Sequence, residues 1–137
     1  MVYADITITS AEDMALERRH IIAKDEVKKM DINILVDTGS YMLAINETIQ
    51  SYMQLPIANE KRKALLANGE RIWCDVVGPV ELRFKNRVTM CTALVLPGDA
   101  EPLLGAIPLE DLDVVINPFR QELTVNPDSP DYALTRL

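Results

Sequence analysis

Residues 32–36 are predicted to form a strand that leads directly into the triplet Asp37-Thr38-Gly39. Ile34, Leu35 and Val36 are apolar on both sides of an extended chain, which predicts a strand buried on both faces. The triplet alone is equally typical of a strand that ends in an ordinary Asp and Gly turn. The strand and the triplet together therefore predict a fold with a deeply buried strand that ends in a polar turn, and they leave the function open.

Short strand patterns separated by turn residues occupy most of the chain. In residues 2–9 apolar and polar side chains alternate, which predicts a half-buried strand. Asn68-Gly69 lies between two apolar runs and predicts a hairpin over residues 63–77, because both residues tolerate positive φ. Gly78-Pro79 is expected to interrupt the strand pattern. Further strands are predicted at 41–45, 80–84, 88–96, 114–116 and 121–125. Val80, Leu82 and Phe84 alternate with charged residues, and a turn is predicted at residues 85–87.

Helical signals are few and brief. Asn46 is a good N-cap and predicts a short helix that Leu55-Pro56 ends, with Ile49, Tyr52 and Met53 on one face. A second short helix is predicted at 108–112. Ser10 to Asp13 are suitable helix-capping residues, but residues 10–30 are predicted to be mostly strand and loop. The chain of 137 residues is then one all-β, barrel-like domain over 1–126, with a C-terminal tail at 127–137.

Charge and composition exclude several function classes. A net charge of −7 with scattered Lys and Arg argues against nucleic-acid binding and slightly favours basic or neutral substrates. No apolar run is long enough to span a membrane, and no secretory signal is recognisable, so a cytoplasmic protein is expected. Cys74 and Cys91 are interpreted as reduced, half-buried thiols. His20 has no neighbouring Cys or His, which argues against a Ser/His or Cys/His pair.

The order of the motifs resembles that of the retropepsin-like aspartic peptidases, the single-lobe relatives of pepsin. A buried strand, Asp37-Thr38-Gly39, a hairpin at Asn68-Gly69, Leu103-Leu104-Gly105 and a short helix follow one another over residues 2–126. Pro102-Leu103-Leu104-Gly105 with a Leu- and Asp-rich helix is similar to the small prokaryotic members. The resemblance implies a closed acid-protease-like barrel with one or two short helices, which hydrolyses peptide bonds with activated water and needs no metal or cofactor.

The resemblance also implies a homodimer. Metal-free peptide hydrolysis needs one carboxylate as base and one carboxylic acid. Two adjacent carboxyl groups supply both because they cannot both ionise easily, and aspartic peptidases are the standard example of this effect. One chain carries a single Asp-Thr-Gly, so Asp37 is expected to meet its copy at a two-fold axis. Peptides or proteins are the expected substrates.

Roles for other residues follow from the same resemblance. Thr38 is expected to hydrogen-bond across the axis, the Gly39 N–H to orient the Asp37 carboxylate, and Ser40 to add a bond to that carboxylate. Leu103, Leu104 and Gly105 are expected to pack behind the catalytic loop. The hairpin corresponds to the flap that closes over the peptide, and the residues at its tip are Ala67, Asn68, Gly69 and Glu70.

Some positions depart from the pattern of the viral retropepsin-like enzymes and support other interpretations. Ala106-Ile107 replace the Arg-containing pair that helps to tie viral dimers together, and Tyr41 either narrows a subsite or packs at the barrel rim. Trp73 is interpreted as barrel packing rather than as a substrate contact. A dimeric peptide-binding or regulatory module without turnover is the main alternative, and a monomeric β-domain with a fortuitous triplet is a third. The loose acidic group Glu101, Glu110, Asp111 and Asp113 is not expected to bind metal.

Overall fold

The computed structural model describes residues 1–137 and is built mainly from short strands. The strands are β1 (Val2–Ser10), β2 (Lys29–Val36), β3 (Leu43–Asn46), β4 (Arg62–Leu65), β5 (Arg71–Cys74), β6 (Val76–Phe84), β7 (Arg87–Leu96), β8 (Leu103–Leu104), β9 (Val114–Asn117) and β10 (Glu122–Val125). The helices are α1 (Ala11–Arg18), α2 (Glu47–Met53) and α3 (Ala106–Leu112), and a 3-10 turn lies at Lys24–Glu26. None of the helices has the length and apolar composition needed to cross a membrane.

Six strands close into a mixed barrel in the order β2-β8-β3-β7-β6-β1, because β1 also pairs with β2. The β1–β2 pairing is antiparallel and runs from Val2 opposite Val36 to Thr9 opposite Lys29. Strands β10 and β9 extend the sheet beyond β1, and β4 and β5 form a separate two-stranded hairpin. The predicted closed β-barrel is therefore confirmed.

The alternation of apolar residues puts one face of each long strand into a single core. Ile6 and Ile8 of β1, Ile34 of β2 and Leu82 of β6 are at most 2% exposed. Burying a large apolar side chain this completely stabilises the folded state by about 1.5–3 kcal/mol. The predicted inward residues of 2–9 and 80–84 are confirmed by this packing.

The first helix was not expected in residues 10–30, where the sequence predicts mostly strand and loop, so that prediction is wrong. The Ser10 side chain accepts a hydrogen bond from the Asp13 N–H at 3.1 Å, and α1 follows directly. The helix has no buried residue, which explains why it lacks the apolar periodicity that would have revealed it. Its N-cap was the only signal, and the fold has three short helices rather than one or two.

Other element boundaries moved by a few residues. Asn46 caps α2 as predicted, since its Oδ1 accepts from the Ile49 N–H at 2.9 Å, but Tyr52 is 50% exposed instead of sharing the buried face. Gly78-Pro79 does not interrupt the strand, because β6 continues through both residues with a shift of register between Val77 and Val80. The strand that follows the triplet, β3, begins at Leu43 rather than at the predicted residue 41.

Candidate active site

Asp37 lies at the carboxyl end of β2, where the barrel wall fixes its backbone. Leu35 and Val36 pair in parallel with Leu103 and Leu104 of β8. The Asp37 N–H continues this pairing, because it donates to the Leu104 carbonyl at 3.0 Å. The side chain is half-buried at the end of a strand that is otherwise deep in the core.

A tight turn orients the carboxylate. The Gly39 N–H donates to Asp37 Oδ1 at 3.0 Å, and the Ser40 N–H donates to the Asp37 carbonyl at 3.0 Å. A Cβ at Gly39 would lie 3.2 Å from Asp37 Oδ1, so a larger residue would crowd the carboxylate. The turn therefore presents one oxygen of Asp37 to a backbone donor and leaves the other free of protein hydrogen bonds.

Two residues with hydroxyl side chains, Thr38 and Ser40, follow Asp37 in the turn, and neither hydroxyl bonds to its carboxylate. Ser40 Oγ donates to the Met42 carbonyl at 3.4 Å and not to the Asp37 carboxylate, so the predicted Ser40–Asp37 bond is wrong for this structure. The Thr38 side chain is exposed and has no hydrogen bond within the chain. Its expected bond across a two-fold axis stays a prediction.

The segment Leu103-Leu104-Gly105 lies directly behind the turn. Leu104 is fully buried in the main core, and Leu103 lies in a smaller apolar cluster beneath the hairpin. Gly105 precedes α3, whose first N–H groups reach the turn: Ala106 N–H donates to the Ser40 carbonyl at 2.8 Å and Ile107 N–H to the Tyr41 carbonyl at 3.1 Å. The loop that follows Asp37 thus satisfies donors that the start of a helix leaves unpaired.

The hairpin β4–β5 forms around the predicted Asn-Gly turn. Gly69 has φ +86°, and Asn68 Oδ1 accepts from the Glu70 N–H at 2.9 Å. The chain closes on either side of them, since Leu66 N–H donates to the Glu70 carbonyl at 2.8 Å. The tip residues are all exposed: Ala67, Asn68, Gly69 and Glu70.

An apolar groove of about 560 Å³ separates the loop of residues 37–42 from the hairpin. Its volume is in the range of ligand sites in proteins. Gly39, Ser40 and Tyr41 line it on the loop side, and residues 62–66 line it on the hairpin side. The groove therefore starts at the residues that follow Asp37 and runs under β4.

Tyr41, Trp73 and Arg62 differ in how well the sequence predicted their positions. Tyr41 is 68% exposed and lines the groove, which agrees with the subsite interpretation. Trp73 is 64% exposed with the Lys63 ammonium 5.6 Å from its ring centroid, so the prediction that it packs on the barrel is wrong. Arg62 lines the groove and was not singled out from the sequence, because it lies just before the predicted hairpin segment 63–77.

Neither cysteine competes with Asp37 as a reactive group. Both thiols are free. Burial, and secondarily the charge of Asp111, raises the pKa of Cys91 to about 11. Burial also raises the pKa of Cys74, with the charge of Asp75 as the next cause. Both side chains are therefore protonated at neutral pH and lack the thiolate that nucleophilic catalysis requires.

The comparison with known proteins agrees with the resemblance drawn from the motifs. Residues 24–107 match the family model described as aspartyl protease, and this stretch contains Asp37, the hairpin and Gly105. The match covers more than half of the chain, so the protein belongs to the retropepsin-like aspartyl protease family. No curated protein matches the chain closely enough to add an individual relative.

Proposed function

We propose that the protein is an aspartic peptidase that hydrolyses peptide bonds with water activated between the Asp37 carboxyl groups of two identical chains. The observation that carries the proposal is the position of Asp37, held by the Gly39 N–H at the end of a buried strand and next to an apolar groove. Membership of the aspartyl protease family supports the same reaction.

The proposed mechanism uses the two carboxyl groups in different protonation states. The ionised Asp37 accepts a proton from water while the water oxygen attacks the peptide carbonyl carbon. The protonated Asp37 of the other chain donates its proton to the carbonyl oxygen. When the tetrahedral intermediate collapses, the C–N bond breaks and the leaving amine takes a proton from the first carboxyl group. One hydroxyl of the intermediate returns a proton to the second carboxylate as the carbonyl re-forms, which restores the starting protonation states. The Gly39 N–H holds one carboxylate oxygen in place through these steps.

The peptide would bind in extended form beneath the hairpin. A peptide strand can add main-chain hydrogen bonds to a hairpin while its side chains enter pockets on one face. The groove side of β4 supplies such a face, and Ala64 and Leu66 lie on it. In this proposal the hairpin acts as the flap of the family.

The surface that would form the dimer lies at the same end of the barrel as Asp37. Val2 pairs with Val36, and the neighbouring Tyr3 pairs with Glu122 at the start of β10. The turn between β9 and β10 therefore lies beside the catalytic end, and its Phe119 is 98% exposed. Strand β9 has a free edge with Val115 and Ile116 exposed, which is a template for pairing with a second chain. A two-fold axis here would bring both turns and both Asp37 residues together.

A decisive experiment replaces Asp37 with Asn, which keeps the shape and removes the acid and base. We expect cleavage of a peptide library at mildly acidic to neutral pH to fall by roughly 10²–10⁴-fold, the size of general acid–base contributions. Asp25→Asn is the matched control, because Asp25 is exposed in the 3-10 turn and should retain full activity.

Undiminished cleavage by Asp37→Asn would end the peptidase proposal. The alternative function is a dimeric peptide-binding module without turnover, for which Ala106-Ile107 after Gly105 is the supporting departure from the viral pattern. Saturable peptide binding by the intact protein, with no cleavage at any pH tested, would favour that alternative.

A further inference from the structure

The charged side chains of the groove all have one sign. Its lining contains Arg62 and Lys63 and no carboxylate, although the whole chain has a net charge of −7. The remaining lining is mostly apolar, with Ala44, Leu66, Leu94, Leu96 and Leu103. A groove of this kind accommodates apolar side chains and attracts a negative charge at its rim.

Strand alternation decides which of the two cations faces the groove. Arg62 pairs with Cys74 and Lys63 with Trp73, and directly paired residues project from the same face of a hairpin. Cys74 is only 2% exposed, so its face is the inward one. The Lys63 ammonium lies 5.6 Å from the centroid of the Trp73 ring, on the outward face. Arg62 is therefore the cation on the groove side.

Arg62 has no acidic partner within the chain. The four ion pairs are Lys61–Asp75, Arg83–Glu81, Arg87–Asp113 and Arg120–Glu122. The contact of Arg62 is instead with Met42, whose Sδ lies 3.2 Å from Nη1. A thioether is a weak acceptor and a guanidinium has five N–H donors, so most of the hydrogen-bonding capacity of Arg62 is unused. The contact with Met42 places the guanidinium next to the catalytic loop.

We propose that the groove selects peptides with an apolar side chain and, two residues away, an acidic one, whose carboxylate accepts hydrogen bonds from Arg62. The spacing follows from the strand: Arg62 and Ala64 are two residues apart on the inward face, and side chains of an extended peptide return to one face every two residues. This specificity rests on the proposed peptidase function.

The preference is opposite to the one that net charge predicts. The charges that make the chain acidic are spread over its surface, and salt screens exposed charges beyond about 8–10 Å. A guanidinium in hydrogen-bond contact with a carboxylate is a stronger and more specific interaction. Contact with Arg62 should therefore outweigh the weak repulsion from the rest of the molecule.

The experiment uses three peptides that differ at one position only. Each contains a Leu intended for the apolar groove, and the residue two positions from this Leu is Glu, Gln or Lys. We expect kcat/KM for the Glu peptide to exceed that for the Gln peptide by roughly tenfold, the value of a hydrogen bond to a charged group, and the Lys peptide to be poorest. Arg62→Gln should abolish this preference, so that its kcat/KM values for the Glu and Gln peptides become nearly equal.

Arg71→Gln is the matched control, because it removes the same charge from the same hairpin but from a side chain outside the groove. Equal cleavage of the three peptides by the wild type would overturn the specificity and leave the peptidase function intact. Equal loss of preference in Arg62→Gln and Arg71→Gln would also overturn it, since a diffuse field would then be responsible. If no peptide is cleaved, the same ranking of the Glu, Gln and Lys peptides is tested by binding. The Kd of each fluorescently labelled peptide is then measured for the wild type, Arg62→Gln and Arg71→Gln.

Discussion

Gly105 shows how closely single residues are fitted behind the loop that follows Asp37. A Cβ at this position would lie 2.4 Å from the Met42 carbonyl oxygen and 2.7 Å from the Tyr41 carbonyl carbon. Both contacts are with backbone, which cannot rotate away as a side chain can. The requirement for glycine here comes from the close approach of two chain segments, since Gly105 itself has an ordinary φ of −87°.

We expect Gly105→Ala to lower the free energy of unfolding by about 1–3 kcal/mol, the usual range for overpacking, and to displace the loop that carries Asp37. Urea unfolding and peptide cleavage measure the two effects. Gly39→Ala is the comparison, because its Cβ would approach the Asp37 side chain at 3.2 Å. It should lose less stability than Gly105→Ala while still losing activity. Wild-type stability of Gly105→Ala would show that the loop yields to the methyl group.

At the scale of elements, the C-terminal tail is fastened to the barrel rather than extended or frayed. Asp113, at the end of α3, accepts hydrogen bonds from Ser129 Oγ, from Asn126 Nδ2 at 2.9 Å and from the Leu134 N–H at 3.0 Å. Arg87 is 1% exposed and donates to the carbonyls of Asp113 and Ser129. The sequence placed Asp113 in a loose acidic group and Arg87 in a turn, because their partners are far away along the chain.

These contacts make a prediction about acid stability. The hydrogen bonds from Ser129, Asn126 and Leu134, and to a lesser degree the charge of Arg87, lower the pKa of Asp113 from 3.8 to about 2. Because the folded-state pKa is below the unfolded value, the stabilisation is fully present above about pH 4 and is lost as the pH falls towards about 2.

Asp113→Asn should therefore reduce the stability measured by urea unfolding at neutral pH, and the stability difference from wild type should shrink between about pH 4 and 2. Asn tolerates the left-handed backbone at this position, where φ is 54°. The control is Glu110→Gln, which removes an exposed charge from the same helix. A difference between Asp113→Asn and wild type that stays constant with pH would contradict the assignment.

At the scale of the whole molecule, the barrel brings the N-terminus and the turn between β9 and β10 to the end that carries Asp37. The Met1 ammonium lies 3.4 Å from Gln121 Oε1, in the turn that presents Phe119. Asp37 has no second catalytic carboxylate beside it within one chain, so activity should depend on association. This dependence separates the proposed peptidase from a monomeric β-domain.

We expect the activity per chain to fall on dilution, and Phe119→Asp to shift the monomer–dimer equilibrium towards monomer by at least about tenfold in Kd, since exposed apolar anchors dominate such contacts. Sedimentation and cleavage assays at several concentrations measure both. Ile21→Asp is the control, because Ile21 is also exposed but follows α1 at the opposite end of the barrel. A strict monomer with undiminished activity per chain would refute the dimer.

The sequence by itself determined the buried strand into Asp37-Thr38-Gly39, the Asn68-Gly69 turn and the apolar alternation of 2–9 and 80–84. These features depend on neighbours along the chain, through strand periodicity and turn conformation, so they can be read locally. Tertiary structure alone decided that Asp113 and Arg87 hold the tail and that Arg62 faces the groove. Each of those contacts joins segments that only the closed barrel brings together, and a side chain's partner there depends on packing rather than on its own sequence context.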